Sequence, residues 1–390
     1  MSGILDGIRV VDMSRYISGP YCAMMLADMG AEVIKVEKPG EGEIYRVGGP
    51  WKDGVSLVFQ AMNRNKKSVT ADTRSPEGLQ LIKELILHSD VLIENFRAGV
   101  MEKMGLGYEE LHKLNPRLIM VSITGFGHSG PLRDRMAFDG IISAMSGVTR
   151  IDGDKVERSK GAIHDHMAGM NAVIGTLLAL LDREKTGKGQ YVDTAMIACS
   201  TVLRSDSIAD AYLNGDEAAM GSDDAAPYGY LKTKDDWVNF QAGTNQLFRK
   251  LRTICPEPVV QEERWLDDLP YRVTHHAELF AAIQKWASNM TADELEKKFV
   301  DAGIPAGIVA TPGRLLRSEH LWENGYLVKM PVHGIDGPVP YMGFPVKLSA
   351  HPDIEYKAAP VLGGDNEDIY GHVLGKSKEE LEELKKKNAI

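Results

Sequence analysis

Cysteine is scarce: Cys22, Cys199 and Cys255 are the 3 in 390 residues. An odd number at wide spacings gives no disulfide framework and no zinc pattern, so a reducing cytoplasm is the expected setting. H-x-x-x-H and H-E-x-x-H are both missing. His164 and His166 flank Asp165 and would point to different sides of a helix, so no metal is expected. Positive charge is in deficit. A net charge of −10 argues against a nucleic-acid partner, although a local basic pocket can still hold an anionic ligand. No uncharged apolar run reaches the ~18 residues of a membrane span; MAGMNAVIGTLLALL comes closest. The opening MSGILDGIRVVDM has no basic region leading into a long apolar stretch, so no secretory signal is expected. The glycines of a dinucleotide fingerprint are missing too. The first strand-to-helix turn reads SRYISGPYC, where G-x-G-x-x-G would be needed.

What is present is an ordinary globular composition, 43% hydrophobic and 26% charged. The length suits about two domains. GIRVVDM reads as a buried strand, YCAMMLADMG as a helix ending at Gly30, and AEVIKVEKP as a second strand. This βαβ unit implies a parallel sheet. SVTADT, DVLIENF and RLIMVSITGFG continue the strands, with SPEGLQLIKELILHS a helix capped by Ser75 with Pro76 behind it. A helix should run from Asp165 to about Glu184, then a turn TGKGQ, a strand YVDTAM and a helix from Ile197 to Tyr212. From about Pro227 the character changes to a hairpin, turning near KTKDD, and amphipathic helices; Thr291 and Glu294 form a capping box. The expected class is α/β: a Rossmann-like large domain over 1–213, a linker 214–228, a smaller α+β domain 229–325, and a return to the large domain over 326–390.

Two groups of residues invite chemistry. Lys35, Lys38, Arg64, Lys66, Lys67, Arg74, Arg97 and Lys103 gather in the first third, several at strand ends or in loops. Phosphate is their natural target; a solvated mixed-charge surface is the bland alternative. Asp165 opens the apolar helix. It can be an N-cap or a nucleophile that attacks a carbonyl. An ordinary Asp, with a pKa of about 3.9, is ionised at neutral pH.

Taken together, ordered blocks of this sequence resemble one family, the class III CoA-transferases (the formyl-CoA and carnitine, or CaiB/BaiF, type). These are LDGIRVVDMSRYISGPYCAMMLADMGAEVIKVEKPGEGE, NRNKKSVTAD, DVLIENFRAGVMEKMGLGYEEL, NPRLIMVSITGFGHSGP, GAIHDHMAGMNAVIGTLLALLDREKTGKGQYVDTAM, AGIPAGIV and APVLGGDNEDI. They cover nearly the whole chain. The resemblance implies that Asp165, four residues before Gly169, is the catalytic nucleophile. It implies coenzyme A or acyl-CoA as a substrate, with no permanently bound cofactor and a small carboxylic acid as the other partner. Lys38, Ala71, Arg74, Asn95, Phe96, Lys103 and Met104 fall where the family contacts CoA, and Arg97 joins them from the same block. Tyr16 and Ile17 fall where the family lines the thioester. Met136, Phe138, Tyr228 and Tyr230 are expected to complete a partly apolar acyl pocket. The family further implies an interlocked homodimer.

Some positions depart from the pattern. QAGTNQLF stands where formyl-CoA:oxalate transferases carry a run of glycines, and Tyr16 and Ile17 replace their valine and glutamine. Asp365 stands where many members have histidine. The α-methylacyl-CoA racemases share the fold and use a G-H-D histidine; MAFDG places Phe138 there, leaving only His164 or His166 to substitute as the acid/base partner. A silent acyl-CoA-binding protein is the rival from another class.

Overall fold

A computed structural model describes residues 3–152, 155–157, 161–215 and 225–390. Two compact units emerge, Met1–Ser205 with Leu321–Ile390, and Asp206–His320.

The first unit is built on six parallel strands: β1 (Arg9–Asp12), β2 (Glu32–Glu37), β3 (Lys67–Thr70), β4 (Val91–Glu94), β5 (Ile119–Thr124) and β6 (Tyr191–Ala195). Their order in space is β3-β2-β1-β4-β5-β6. It reverses direction between β1 and β4, and loops leaving the carboxyl ends there diverge to open a crevice. Strands β4 and β5 are buried at every position, as expected of a parallel sheet covered on both faces. One face packs against α1 (Ser18–Asp28) and the later long helix Ile163–Thr186; the other packs against α2 (Pro76–Leu87) and the C-terminal helices. α2 begins as its sequence dictates, with Ser75 accepting from the Gly78 amide and Pro76 at the first position.

Two helices depart from expectation. α1 starts at Ser18, three residues before Tyr21, because Pro20 costs nothing in a first turn whose amides have no intrahelical partner. The segment expected as one helix from Ile197 to Tyr212 is broken. A turn of 3₁₀ helix, Val202–Arg204, separates Met196–Thr201 from Ser205–Asn214. Here the hydroxyls of Ser200, Thr201 and Ser205 bond carbonyls three or four residues back, a local competition that bends helices.

At the open edge of the sheet, the C-terminal segment seals β3. Ser68 donates its amide to Asp365 Oδ2 at 2.7 Å, Thr70 donates to Asn366 Oδ1 at 2.8 Å, and Tyr370 donates to the Thr70 carbonyl at 2.9 Å. Asp365 therefore serves the sheet edge.

The second unit has a three-stranded antiparallel sheet, β7 (Tyr228–Lys232), β8 (Trp237–Gln241) and β9 (Ala306–Ile308), packed by helices around Trp265, Phe240 and Phe299. The expected capping box at Thr291 and Glu294 is present. QAGTNQLF closes β8 and opens a helix whose N-cap is Thr244; buried Arg272 donates to the Gly243 carbonyl and to Asn245 Oδ1. Among the described residues no helix is long and apolar enough to cross a membrane.

Candidate active site

At the crevice, the loops after β1 and β4 are tied together by one side chain. Asn95 Oδ1 accepts from the Arg15 amide at 2.8 Å, and its Nδ2 donates to the Arg15 carbonyl at 2.7 Å and to Ser18 Oγ at 3.3 Å. The β1 loop is also held from below. Buried Asp12 meets Lys66 Nζ at 2.8 Å and Lys35 Nζ at 3.6 Å. Lys35 donates to the Ser14 carbonyl, and Lys66 to the Pro20 carbonyl and Asn63 Oδ1. Burial alone would raise the Asp12 carboxyl, but Lys35 and Lys66 override it and bring it down to about 2. Burial in turn pulls the Lys66 amine down to about 8 against the attraction of Asp12.

This corrects the expectation that the whole basic cluster seeks phosphate. Lys35 and Lys66 are buried partners of Asp12, and Arg64 is a buried partner of Asp28 at 2.6 Å. Lys67 bridges Glu32 and Asp368. A charge leaves water only with a partner beside it, and here the partners come from distant parts of the chain.

Asp165 sits in the first turn of a 24-residue helix, Ile163–Thr186, whose N-cap is Ala162. It is thus not the cap. Asp139, at the start of the short helix Asp139–Met145, does that work from outside: its Oδ1 accepts from the His164 amide at 2.8 Å and the Asp165 amide at 3.3 Å. The Asp165 carboxyl is left to face a cleft of about 1010 Å³. Burial first, and the Asp139 charge second, push it up to about 7, in place of the ordinary carboxylate value expected from sequence. Neither neighbouring histidine lines this cleft. His164 is fully buried with Nδ1 2.8 Å from Ser200 Oγ, and His166 sets Nδ1 2.6 Å from the Ala162 carbonyl and its ring edge-on to Tyr21. The proposed substitution of either histidine as a racemase partner therefore has no geometry to support it.

Around Asp165, Tyr16, Ile17, Met136 and Phe138 line the same cleft, together with Asn95, Phe96 and Arg97. Tyr16 packs edge-on against Phe138 and Tyr45, with ring centroids 5.8 and 5.7 Å apart. Its φ of 65° is left-handed, a strained conformation for a bulky residue. The amide of Tyr16 donates to Glu43 Oε1, which helps hold it there.

A second pocket of about 240 Å³ brings Lys38, Ala71 and Arg74 together. Arg15 and Phe96 border both cavities, which meet at those two residues. Lys38 carries an ion pair with Glu41, and Arg74 one with Asp72 at 3.2 Å. Four of the expected residues lie elsewhere; one is Tyr230, exposed on β7 of the second unit. Lys103 is exposed on the short helix Val100–Lys103, and Met104 is half-buried against the core beside α2. Tyr228 belongs to the second unit, stacked on His276. Neither Lys103 nor Met104 lines the two cavities, because the four-residue helix carries one to the surface and the other into the core. Sequence reasoning missed Asp139, Arg15, Arg135 and Tyr45. For three of them the only signal was proximity, Asp139 and Arg135 standing beside Phe138 and Met136, and Arg15 beside Tyr16; Tyr45 had none.

The family model described as CoA-transferase family III matches residues 5–366. The succinyl-CoA–L-malate CoA-transferase beta subunit of Chloroflexus aurantiacus is 34% identical, over 99% of this chain and 98% of its own. The succinyl-CoA:glutarate CoA-transferase of Mus musculus is 35% identical, over 97% and 88%. A crystal structure of a CAIB/BAIF family protein from Brucella suis superposes with a TM-score of 0.84 at 31% identity, covering 96% of this chain and all of that one (100%).

Proposed function

The chain belongs to the class III CoA-transferases, and from that premise we propose that it moves coenzyme A from an acyl-CoA thioester to a free carboxylic acid through covalent intermediates on Asp165. The observation that carries this reading is the division of labour at the helix start. Asp139 takes the first-turn amides, so the Asp165 carboxyl is free to react in the cleft.

The steps balance without another reactant. An Asp165 oxygen attacks the thioester carbonyl, the C–S bond breaks, and CoA leaves as the thiolate from a mixed anhydride. The thiolate attacks the Asp165 acyl carbon, which releases the donor acid and leaves an aspartyl-CoA thioester. The acceptor carboxylate attacks that carbon and expels the thiolate again. The thiolate then takes the acceptor's acyl carbon, and Asp165 departs as a carboxylate. Each step exchanges acyl bonds of similar energy, which is what covalent catalysis offers. Poor solvation of Asp165 leaves its oxygen less encumbered by water than an exposed carboxylate would be.

In this reading the pocket of Lys38, Arg74 and Arg15 receives the phosphates of CoA, and the thiol arm runs past Phe96 toward Asp165. Because the similar enzymes use succinyl-CoA with malate or glutarate, the acids here are dicarboxylic. A homodimer is part of the same proposal. Met170, Ile174, Leu178 and Leu181 form an exposed apolar stripe on the helix of Asp165, and a second copy of the chain covers it.

The test is mass spectrometry after incubation with a panel of acyl-CoA thioesters and trapping with hydroxylamine or borohydride. The expected result is an adduct on the peptide holding Asp165, absent from Asp165→Ala. Exchange of an α-proton with deuterated water, and no adduct, would make the protein a racemase instead. Tight CoA binding with neither signal would make it a binding protein.

A further inference from the structure

Four arginines outside the cleft are paired with carboxylates. Arg9 meets Glu32, Arg46 meets Glu37, Arg64 meets Asp28, and Arg183 meets Asp90, at 2.6 to 3.0 Å. Inside it Arg133 is paired too, with Asp134 at 3.5 Å. Arg97 and Arg135 line the same cavity as Asp165, and among the described residues neither has a carboxylate partner. Both are exposed to the cleft solvent. They stand on two loops, after β4 and after β5. Arg97, after β4, lays its guanidinium on the Met136 sulfur, the residue that follows Arg135 in the loop after β5. Arg135 sets its guanidinium carbon over the Phe126 ring, 5.9 Å from the centroid.

A planar guanidinium fork matches a carboxylate bidentately. The chain as a whole carries a net charge of −10, and the cleft also contains Asp139 and Asp165, so a dianionic acid would be repelled without local compensation. We propose that Arg97 and Arg135 bind the distal carboxylate of a dicarboxylic acyl group, and so select dicarboxylic over monocarboxylic acids for transfer. The inference rests on the transferase reading above and adds to it the residues that set the substrate class. The phosphates have their own cations at Lys38 and Arg74 in the adjoining pocket, so these two arginines are not needed there.

The experiment compares kcat/KM for succinyl-CoA with that for butyryl-CoA, which lacks the distal carboxylate, in the wild type and in Arg97→Ala, Arg135→Ala and Arg135→Lys. Arg249→Ala, in the second unit and paired with Asp267, controls for loss of surface charge. The wild type is expected to prefer succinyl-CoA by ~10³-fold or more, as sites built around a polar group do. Each alanine variant should lower that ratio by ~10²-fold, with Arg135→Lys recovering part of it and Arg249→Ala leaving it unchanged. Affinity for free CoA should stay constant throughout. If the alanine variants weaken both thioesters and free CoA equally, the arginines serve the phosphates and the inference is overturned. A wild type that transfers CoA with no preference overturns it as well, while the transferase reading stands. No turnover with either thioester and no adduct on Asp165 would remove that reading and the inference together.

Discussion

Asp165 and Asp139 show how one pair of carboxylates divides structure from chemistry. Asp165 is an acid whose folded pKa, about 7, lies above its ordinary 3.8. Between those values the native state holds a proton that the unfolded chain has lost, so wild-type stability falls as pH rises through that window. Asp165→Asn should abolish transfer, by ~10³-fold or more. It should also be the more stable protein at pH 8, by about 1–3 kcal/mol once solvent in the cleft is allowed for, with the advantage fading toward pH 4. Denaturant titrations at the two pH values would check the sign. Asp139→Asn keeps an oxygen for the two amides and removes a like charge. The rising limb of its pH–rate profile should move to lower pH, raising the rate at pH 6 about two- to threefold relative to its own plateau. A limb that does not move would mean burial alone sets the Asp165 carboxyl. None of this was legible in GAIHDHMAGM, because Asp139 lies 26 residues upstream and joins Asp165 only through the fold.

At the scale of elements, Gly169 has a reason to be glycine. A Cβ there would stand 2.8 Å from the Ser18 carbonyl oxygen and 2.9 Å from a ring carbon of Tyr21, so α1 approaches the helix of Asp165 too closely for any side chain. Gly169→Ala gains about 1 kcal/mol of helix propensity but must push α1 away, for a net cost of about 1–2 kcal/mol. Since α1 begins just after Tyr16 and Ile17, kcat/KM should fall about tenfold or more. Thermal melts alongside steady-state kinetics would separate the two effects, and a variant with native activity would deny that this contact positions the site. The sheet strands and α2 were readable from sequence because their signals are local: apolar β-branched runs, a serine cap, a proline behind it. The basic run NRNKKS misled for the opposite reason. Lys66 looks like a surface lysine until Asp12, 54 residues earlier, is folded against it.

For the whole molecule, the apolar stripe on the long helix predicts association. Light scattering on a sizing column should give twice the chain mass, 42.9 kDa. Leu178→Glu, which places a charge where a leucine is 60% exposed, should shift the protein to monomer. A wild type that is monomeric at micromolar concentration would contradict the dimer proposal. The first expected division of the chain, the linker 214–228, rested on a change of composition near Pro227. The chain passes from the first unit to the second between Ser205 and Asp206, within the bent helical segment, where no compositional change marks it, and returns between His320 and Leu321.

The seal on β3 has a consequence in time. The strand and the residues that cover it are 296 positions apart. On a ribosome adding ~5–20 residues per second, strand β3 exists for roughly 15–60 s before Asn366 is made. Through that interval the growing sheet presents a bare row of amides and carbonyls to any other extended chain nearby. The nascent protein is therefore most in need of a chaperone at this edge, and that need ends once Asp365, Asn366 and Tyr370 have emerged.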